Sequence, residues 1–95
     1  MTEGIDHGWC VYILRCADQT LYTGIAKDLS KRLAQHNKGA GAKYTRGRAP
    51  VELVFVESVQ SHGDALRREY TIKRMSTAAK QNMIGRGPGK SDVIR

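Results

Sequence analysis

Residues 9–25, WCVYILRC-ADQ-TLYTGI, contain two predicted β-strands joined by a turn. Residues 9–16 are rich in β-branched and aromatic side chains and are apolar on both faces, which is typical of a central strand. Residues 20–25 form the second strand. Because only three residues separate the two, they are predicted to pair as an antiparallel hairpin. Gly24 indicates a bulge or a close approach to the backbone in this strand.

A helix and a long loop are predicted after the hairpin. Asp28 is a suitable N-cap for a helix that runs through Leu33 and ends near Asn37 and Gly39. The segment that follows, residues 38–50, is rich in glycine and basic residues and is called the basic loop below. At about a dozen residues it is longer than most loops, which favours a functional role.

One more strand and two more helices complete the prediction. Residues 51–58 form the third strand, and residues 61–64, SHGD, resemble a capping box that opens a second helix. Thr77 would cap a shorter helix that Gly85 ends. The order β-β-α-β-α-α predicts an α+β fold, with a small three-stranded antiparallel sheet flanked by helices.

The length of 95 residues leaves room for one modest core and one domain. We expect an N-terminal extension at residues 1–8, a domain at residues 9–84 and a basic, disordered tail at residues 85–95. The sequence contains no internal repeat.

Composition indicates a protein of the cytoplasm. No apolar run approaches the roughly 18 to 20 residues that span a bilayer, and the N-terminus lacks the pattern of a signal peptide. Cys10 and Cys16 lie in the first predicted strand, about 20 Å apart at roughly 3.3 Å per residue, so they cannot bridge each other. We expect both to be buried, reduced thiols.

Charge points to a polyanionic partner. The chain has 16 Lys and Arg against 9 Asp and Glu, a formal net charge of +7. Seven basic residues and one acidic residue lie between positions 27 and 48, so the charge is concentrated, although small basic proteins can be basic without binding nucleic acid. The predicted nucleic-acid-binding residues are Lys31, Lys38, Lys43, Tyr44, Arg46 and Arg48. Tyr44 would stack on a base or pin the loop.

Two polar side chains fall on the apolar stripe of the first helix. Leu29, Arg32, Leu33 and His36 share one face by their spacing, and that face should pack on the sheet. A basic residue there needs a partner or must reach solvent. The stripe is therefore either an ordinary amphipathic edge or part of a site.

Glu69 repeats this pattern in the second helix, in line with Ala65 and Ile72. Lys73, one turn later, would pair with it as an ordinary salt bridge, whereas a metal ion is the alternative partner. In the hairpin, Tyr12 and Tyr22 can approach each other across the strands, either as core residues or as members of a site.

These residues together resemble the GIY-YIG nuclease superfamily. The matching features are CVY at residues 10–12, YTG at residues 22–24, the series Arg32, His36, Asn37 and Gly39, and Glu69. The similarity covers residues 9–84 and is greatest to small, stand-alone bacterial members. In this chain Cys10 replaces the first glycine of the pattern, and Val11 and Thr23 replace isoleucines.

The resemblance implies a nuclease that hydrolyses DNA phosphodiester bonds with one divalent cation. Tyr12 would be the general base or would position the attacking water, with Tyr22 supporting it. Arg32 would hold the scissile phosphate, and His36 would be a polar partner to the tyrosines or the phosphate.

The resemblance also assigns the metal. Glu69 would be the one protein carboxylate on Mg²⁺ or Mn²⁺, and Gly24 would let the backbone pass close to the site. Asn82 falls near a helical asparagine of some relatives, and no role is carried over to it.

The sequence is compatible with three functions. The leading one is a metal-dependent endonuclease, structure-directed or weakly sequence-specific, acting in DNA repair or recombination as a monomer or weak dimer, with RNA not excluded. The alternative is a non-catalytic nucleic-acid-binding module that retains the nuclease fold. A basic interaction protein without a nucleic-acid role is the third.

Overall fold

The computed structural model describes residues 8–86. In this range the elements are β1 (Trp9–Arg15), β2 (Leu21–Ala26), α1 (Leu29–Asn37), β3 (Glu52–Val59), α2 (His62–Lys73) and α3 (Thr77–Arg86), with a 3₁₀ turn at Lys43–Thr45. The predicted α+β order is confirmed. Residues 1–7 of the predicted extension and residues 87–95 of the predicted tail lie outside the described range.

The sheet has the order β2-β1-β3, and both strand pairs are antiparallel. The central position of β1 agrees with its apolar character on both faces. Tyr12 lies opposite Gly24, and Leu14 lies opposite Tyr22. The irregularity in register occurs between β1 and β3 at Ile13 and Leu14, not at Gly24.

Alternation along the strands divides the core between the two faces of the sheet. One face packs against α1 through Leu29 and Leu33, and its buried members include Cys10, Tyr12, Leu14 and Leu53. The opposite face packs against α2 and α3, and its buried members include Val11, Ile13, Phe55, Ala65, Ile72 and Ile84. Because successive strand side chains point to opposite faces, Tyr12 and Tyr22 both lie on the α1 side.

Two predicted helix starts are confirmed. The Asp28 carboxylate accepts a hydrogen bond from the Lys31 backbone N–H at 3.1 Å. The Ser61 hydroxyl accepts one from the Asp64 backbone N–H at 3.1 Å. Each cap satisfies a donor that the first helical turn leaves without an internal partner.

The predicted bounds of the last helix are wrong at both ends. The Ser76 hydroxyl accepts from the Ala79 backbone N–H at 3.0 Å, so Ser76 is the cap and Thr77 is the first helical residue. Gly85 does not take the left-handed conformation that ends many helices, and α3 continues to Arg86.

Cys10 and Cys16 are buried free thiols, as predicted, and burial raises the pKa of each. Neither is poised as a thiolate nucleophile at neutral pH. None of the helices described between residues 8 and 86 has the length and apolar character of a membrane-spanning segment.

Candidate active site

The site is built around Tyr12, whose ring is buried in the centre of the sheet. Its strand partner Gly24 leaves room for it: a Cβ at position 24 would lie 2.7 Å from the Tyr12 hydroxyl oxygen and 2.9 Å from Cε2 of Tyr22. Distances this short force neighbouring atoms to move. The structure therefore shows the close approach that Gly24 suggested.

An aromatic cluster surrounds the Tyr12 ring. Tyr22 lies diagonally across the hairpin, with its ring centroid 6.4 Å from that of Tyr12. The imidazole of His36 lies 5.3 Å from the Tyr22 ring, and Tyr44 of the basic loop stacks on Tyr22 at 5.9 Å. The two strands, α1 and the basic loop thus each contribute one ring.

His36 is fully buried and is hydrogen bonded through both ring nitrogens. Its Nε2 lies 2.9 Å from the Tyr12 hydroxyl, and its Nδ1 lies 2.8 Å from the Thr45 hydroxyl. Burial and the charge of Arg32 lower the pKa of His36, so its neutral form is favoured. Gly41 packs against the ring, since a Cβ there would collide with the imidazole.

Arg32 is half-buried beside Tyr12, as the helical stripe predicted. One terminal nitrogen donates to the Gln35 side chain at 3.1 Å. Burial raises the pKa of Tyr12 to about 12, and the nearby positive charge of Arg32 partly opposes this shift. Tyr12 is accordingly a neutral phenol at physiological pH.

Glu69 lies on α2 and forms the salt bridge that its spacing allowed. Its Oε2 is 3.3 Å from Nζ of Lys73, and the Glu69 side chain is 20 % exposed. Lys73 also borders a cleft of about 240 Å³ at the β2 edge, lined by Leu21, Tyr22, Thr23, Tyr44, Lys73 and Lys80. Through its salt bridge with Lys73, the Glu69 carboxylate is connected to the rim of a cleft that Tyr22 also lines.

The donor set for a cation is sparse. Residues 8–86 contain no cluster of three or more His, Cys, Asp or Glu side chains that would hold a metal by themselves. Thr23 in the cleft has a buried hydroxyl oxygen without a hydrogen-bond partner among these residues. A cation at Glu69 would need its remaining ligands from water and substrate.

The basic residues among the predicted nucleic-acid-binding residues divide into two groups. Exposed side chains without an acidic partner in the described part of the chain are Lys31, Lys38, Lys43 and Arg46. Arg48 instead bonds Asp18 at 3.0 Å and the Tyr44 carbonyl at 2.7 Å, with its guanidinium 4.2 Å from the Tyr44 ring centroid. Arg48 therefore pins the basic loop to the hairpin turn.

Three residues at the site were not predicted from the sequence. Gly41 and Thr45 contact His36 from the basic loop, and Lys80 of α3 lines the cleft. Asn82, for which no role was predicted, is exposed on the same helix. No periodic pattern marks Gly41, which lies in irregular structure, or Thr45, which lies in a 3₁₀ turn of only three residues.

Comparisons with known proteins agree with this architecture. A family model described as the GIY-YIG catalytic domain matches residues 8–82. A UPF0213 protein of Natronomonas pharaonis is 51% identical over 74 residues, covering 78% of this chain and 87% of the relative. A UPF0213 protein of Staphylococcus saprophyticus is 49% identical over 77 residues, covering 81% and 94%.

A solved structure extends the comparison to the fold. The solution NMR structure of the UPF0213 protein BH0048 from Bacillus halodurans is 39% identical and has a TM-score of 0.56. The match covers 90% of this chain and 94% of that one. With its antiparallel sheet, its paired tyrosines and the matched span, the chain belongs to the GIY-YIG catalytic domain family.

Proposed function

We propose that this protein is a metal-dependent endonuclease that hydrolyses DNA phosphodiester bonds. The observation that carries the proposal is the buried hydrogen bond between the Tyr12 hydroxyl and Nε2 of His36, with Arg32 beside the same phenol. Packing alone would be served by apolar side chains, because a buried polar group costs free energy unless it finds a hydrogen-bond partner. Together these side chains offer a water-orienting hydroxyl, a neutral imidazole and a cation.

Tyr12 acts as the group that positions the attacking water. With a pKa of about 12, only about one molecule in 10⁵ carries a phenolate at pH 7. A standing phenolate is therefore too scarce to serve as the base. The phenol oxygen can instead accept a hydrogen bond from water while its own proton is engaged with His36.

Arg32 holds the scissile phosphate. A guanidinium has five donors, and the bond to Gln35 uses one of them. The remaining donors form a fork that suits the paired oxygens of a phosphate. Its half-buried position beside Tyr12 makes the interaction less screened than on an open surface, which favours charge stabilisation in the transition state.

The donor set around Glu69 fits one hard divalent cation. Mg²⁺ keeps most of its waters and is commonly bound by one or two carboxylates together with substrate phosphates, so a single glutamate suffices. Glu69 would hold the ion, and Lys73 would have to release the carboxylate to it. When bound, Mg²⁺ or Mn²⁺ would neutralise charge on the phosphoryl oxygens.

The exposed basic residues favour contact with a nucleic-acid backbone. Lys31, Lys38, Lys43 and Arg46 are exposed, and Lys73 and Lys80 line the cleft. Contacts of this kind neutralise phosphates without reading bases. We therefore propose weakly sequence-specific or structure-directed cutting, in repair or recombination within the cytoplasm.

The alternative function is a non-catalytic nucleic-acid-binding module, and one observation favours it. The Glu69 carboxylate already has Lys73 as a partner, so the charge is satisfied without a metal. Binding alone would then account for the basic surface, and Glu69 would be a structural residue of α2.

The deciding experiment measures cleavage of single-stranded, duplex, flap and branched DNA with Mg²⁺ or Mn²⁺. Tyr12→Phe and Glu69→Gln should both abolish cutting, whereas Glu52→Gln, an exposed carboxylate paired with Arg15, should cut like the wild type. Glu69→Gln should bind DNA at least as tightly, since it removes a negative charge. Binding without cutting of any substrate by the wild-type protein would favour the alternative.

A further inference from the structure

The basic loop reaches into the core of the site through Thr45. This residue is fully buried, and its hydroxyl lies between the Ala42 carbonyl, at 2.9 Å, and Nδ1 of His36, at 2.8 Å. A hydroxyl has a single proton. Donation to the Ala42 carbonyl leaves the Thr45 oxygen as an acceptor, so Nδ1 of His36 must carry the proton between them.

This tautomer fixes the direction of the next hydrogen bond. A neutral imidazole has one N–H, so a proton on Nδ1 leaves Nε2 as an acceptor, and the Tyr12 hydroxyl donates to it at 2.9 Å. The positive charge of Arg32 near the phenol supports the same direction, because the hydroxyl proton is favoured on the side away from the guanidinium.

The opposite tautomer fits less well. The Thr45 hydroxyl would then donate to Nδ1, leaving its oxygen and the Ala42 carbonyl oxygen 2.9 Å apart with no proton between them. The Tyr12 proton would turn away from Nε2, and Arg32 has no acceptor to offer it. An unmade hydrogen bond in a buried site costs about 1–3 kcal/mol, so the first arrangement is favoured.

We propose that Thr45 is a positioning residue that holds His36 in the Nδ1–H tautomer, so that Tyr12 relays a proton from the attacking water to Nε2. This inference rests on the proposed nuclease function. It assigns to the basic loop a part in the chemistry, in addition to its contacts with the DNA backbone.

The relay balances in protons and electrons. As the water oxygen forms its bond to phosphorus, one water O–H bond breaks and that proton joins the Tyr12 oxygen. The original Tyr12 proton moves to Nε2, which makes His36 an imidazolium. Its Nδ1–H continues to donate a hydrogen bond to the Thr45 hydroxyl oxygen. The P–O bond to the leaving oxygen breaks with its electron pair, and that oxygen takes a proton from solvent. His36 then returns its proton through Tyr12 to water.

The relay also explains how Tyr12 can act although it is a neutral phenol. Its proton is replaced in the same step in which it is lost, so no free phenolate has to accumulate. Lowering of the His36 pKa keeps the imidazole neutral and ready to accept. Gly41 lets the loop close against the ring, which keeps solvent from competing for Nδ1.

The test compares Thr45→Val, which preserves shape but removes the hydroxyl, with Thr45→Ser, which keeps it. Thr71→Val, at an exposed threonine of α2, is the matched control. Long-range ¹H–¹⁵N NMR identifies which nitrogen of His36 is protonated, and thermal unfolding checks that each variant is folded. Single-turnover cleavage and DNA affinity are measured separately.

Wild type, Thr45→Ser and Thr71→Val should show His36 protonated on Nδ1. Thr45→Val should lose this preference and cut about 10- to 100-fold more slowly at saturation, with unchanged DNA affinity, because proton transfer rather than binding is impaired. A wild-type His36 protonated on Nε2, or a folded Thr45→Val variant that cuts at the wild-type rate, would overturn the inference.

The NMR measurement separates this inference from the proposed function. A wild-type protein that cuts DNA while His36 is protonated on Nε2 would retain the nuclease function and refute the role of Thr45. A protein that cuts nothing would refute the nuclease function and the relay together. If Thr45→Val does not fold, the wild-type tautomer and the rate of Thr45→Ser still decide.

Discussion

Acid should destabilise the protein through His36. Burial lowers the pKa of this residue in the folded state, whereas in the unfolded chain it titrates near the reference value of about 6.5. The unfolded chain therefore binds the proton first as pH falls. The stabilisation is fully present above about pH 6.5 and is lost as pH falls toward the folded pKa.

The size of the effect follows from the linkage of one proton. Over that window the free energy of unfolding should decrease with a slope that approaches about 1.4 kcal/mol per pH unit. The lost stability reflects the burial of His36 between Tyr12 and Thr45, where a second ring proton has no acceptor as good as the ones already in use.

The assay is urea unfolding between pH 8 and 5, with circular dichroism as the probe. Fluorescence is unsuitable because the single tryptophan, Trp9, stacks on His62 and its emission would respond to that contact. His36→Gln, which hydrogen bonds but does not titrate, should lose the steep part of the dependence. His62→Gln, at an exposed histidine, should retain it. Equal pH dependence of wild type and His36→Gln would refute the assignment of the proton to His36.

Other substitutions test the packing, the cation and the DNA surface. Gly24→Ala should lower stability by about 1–3 kcal/mol and reduce cleavage, since the new Cβ displaces the Tyr12 hydroxyl; unchanged melting and activity would contradict the close approach. Lys73→Gln should strengthen Mn²⁺ binding about tenfold, measured by electron paramagnetic resonance, because Glu69 loses its competing ammonium, and unchanged affinity would place the ion elsewhere. Lys43→Gln should reduce the slope of log affinity against log salt by about 1, and an unaltered slope would remove this residue from the backbone contacts.

Much of the fold followed from short-range patterns. The two-residue period of the strands placed Tyr12 and Tyr22 on one face, and the helical period placed Arg32 and His36 against the sheet. The cap at Asp28 was also visible. These features depend on backbone geometry over a few residues, which the order of residue types expresses directly. The cap of α3 was misplaced because Ser76 and Thr77 are chemically equivalent candidates in sequence, and its end was misplaced because Gly85 continues the helix.

The partners of the site residues depended on the path of the loops. Thr45 meets His36 nine positions away, and Arg48 meets Asp18 thirty positions away. No regular sequence spacing predicts either contact, since the chain between the partners includes irregular structure whose course is set by packing. Arg48 was accordingly predicted as a DNA contact, although its guanidinium is engaged within the protein.

By itself, the sequence determined the order of the elements, the basic surface and the five polar residues from which a site could be built, Tyr12, Tyr22, Arg32, His36 and Glu69. Only the tertiary structure decided that His36 lies between Tyr12 and Thr45 and that Lys73 forms a salt bridge with Glu69. The physical reason is that residue types set local conformation and charge, whereas hydrogen-bond direction and proton position depend on which atoms the complete fold brings within about 3 Å.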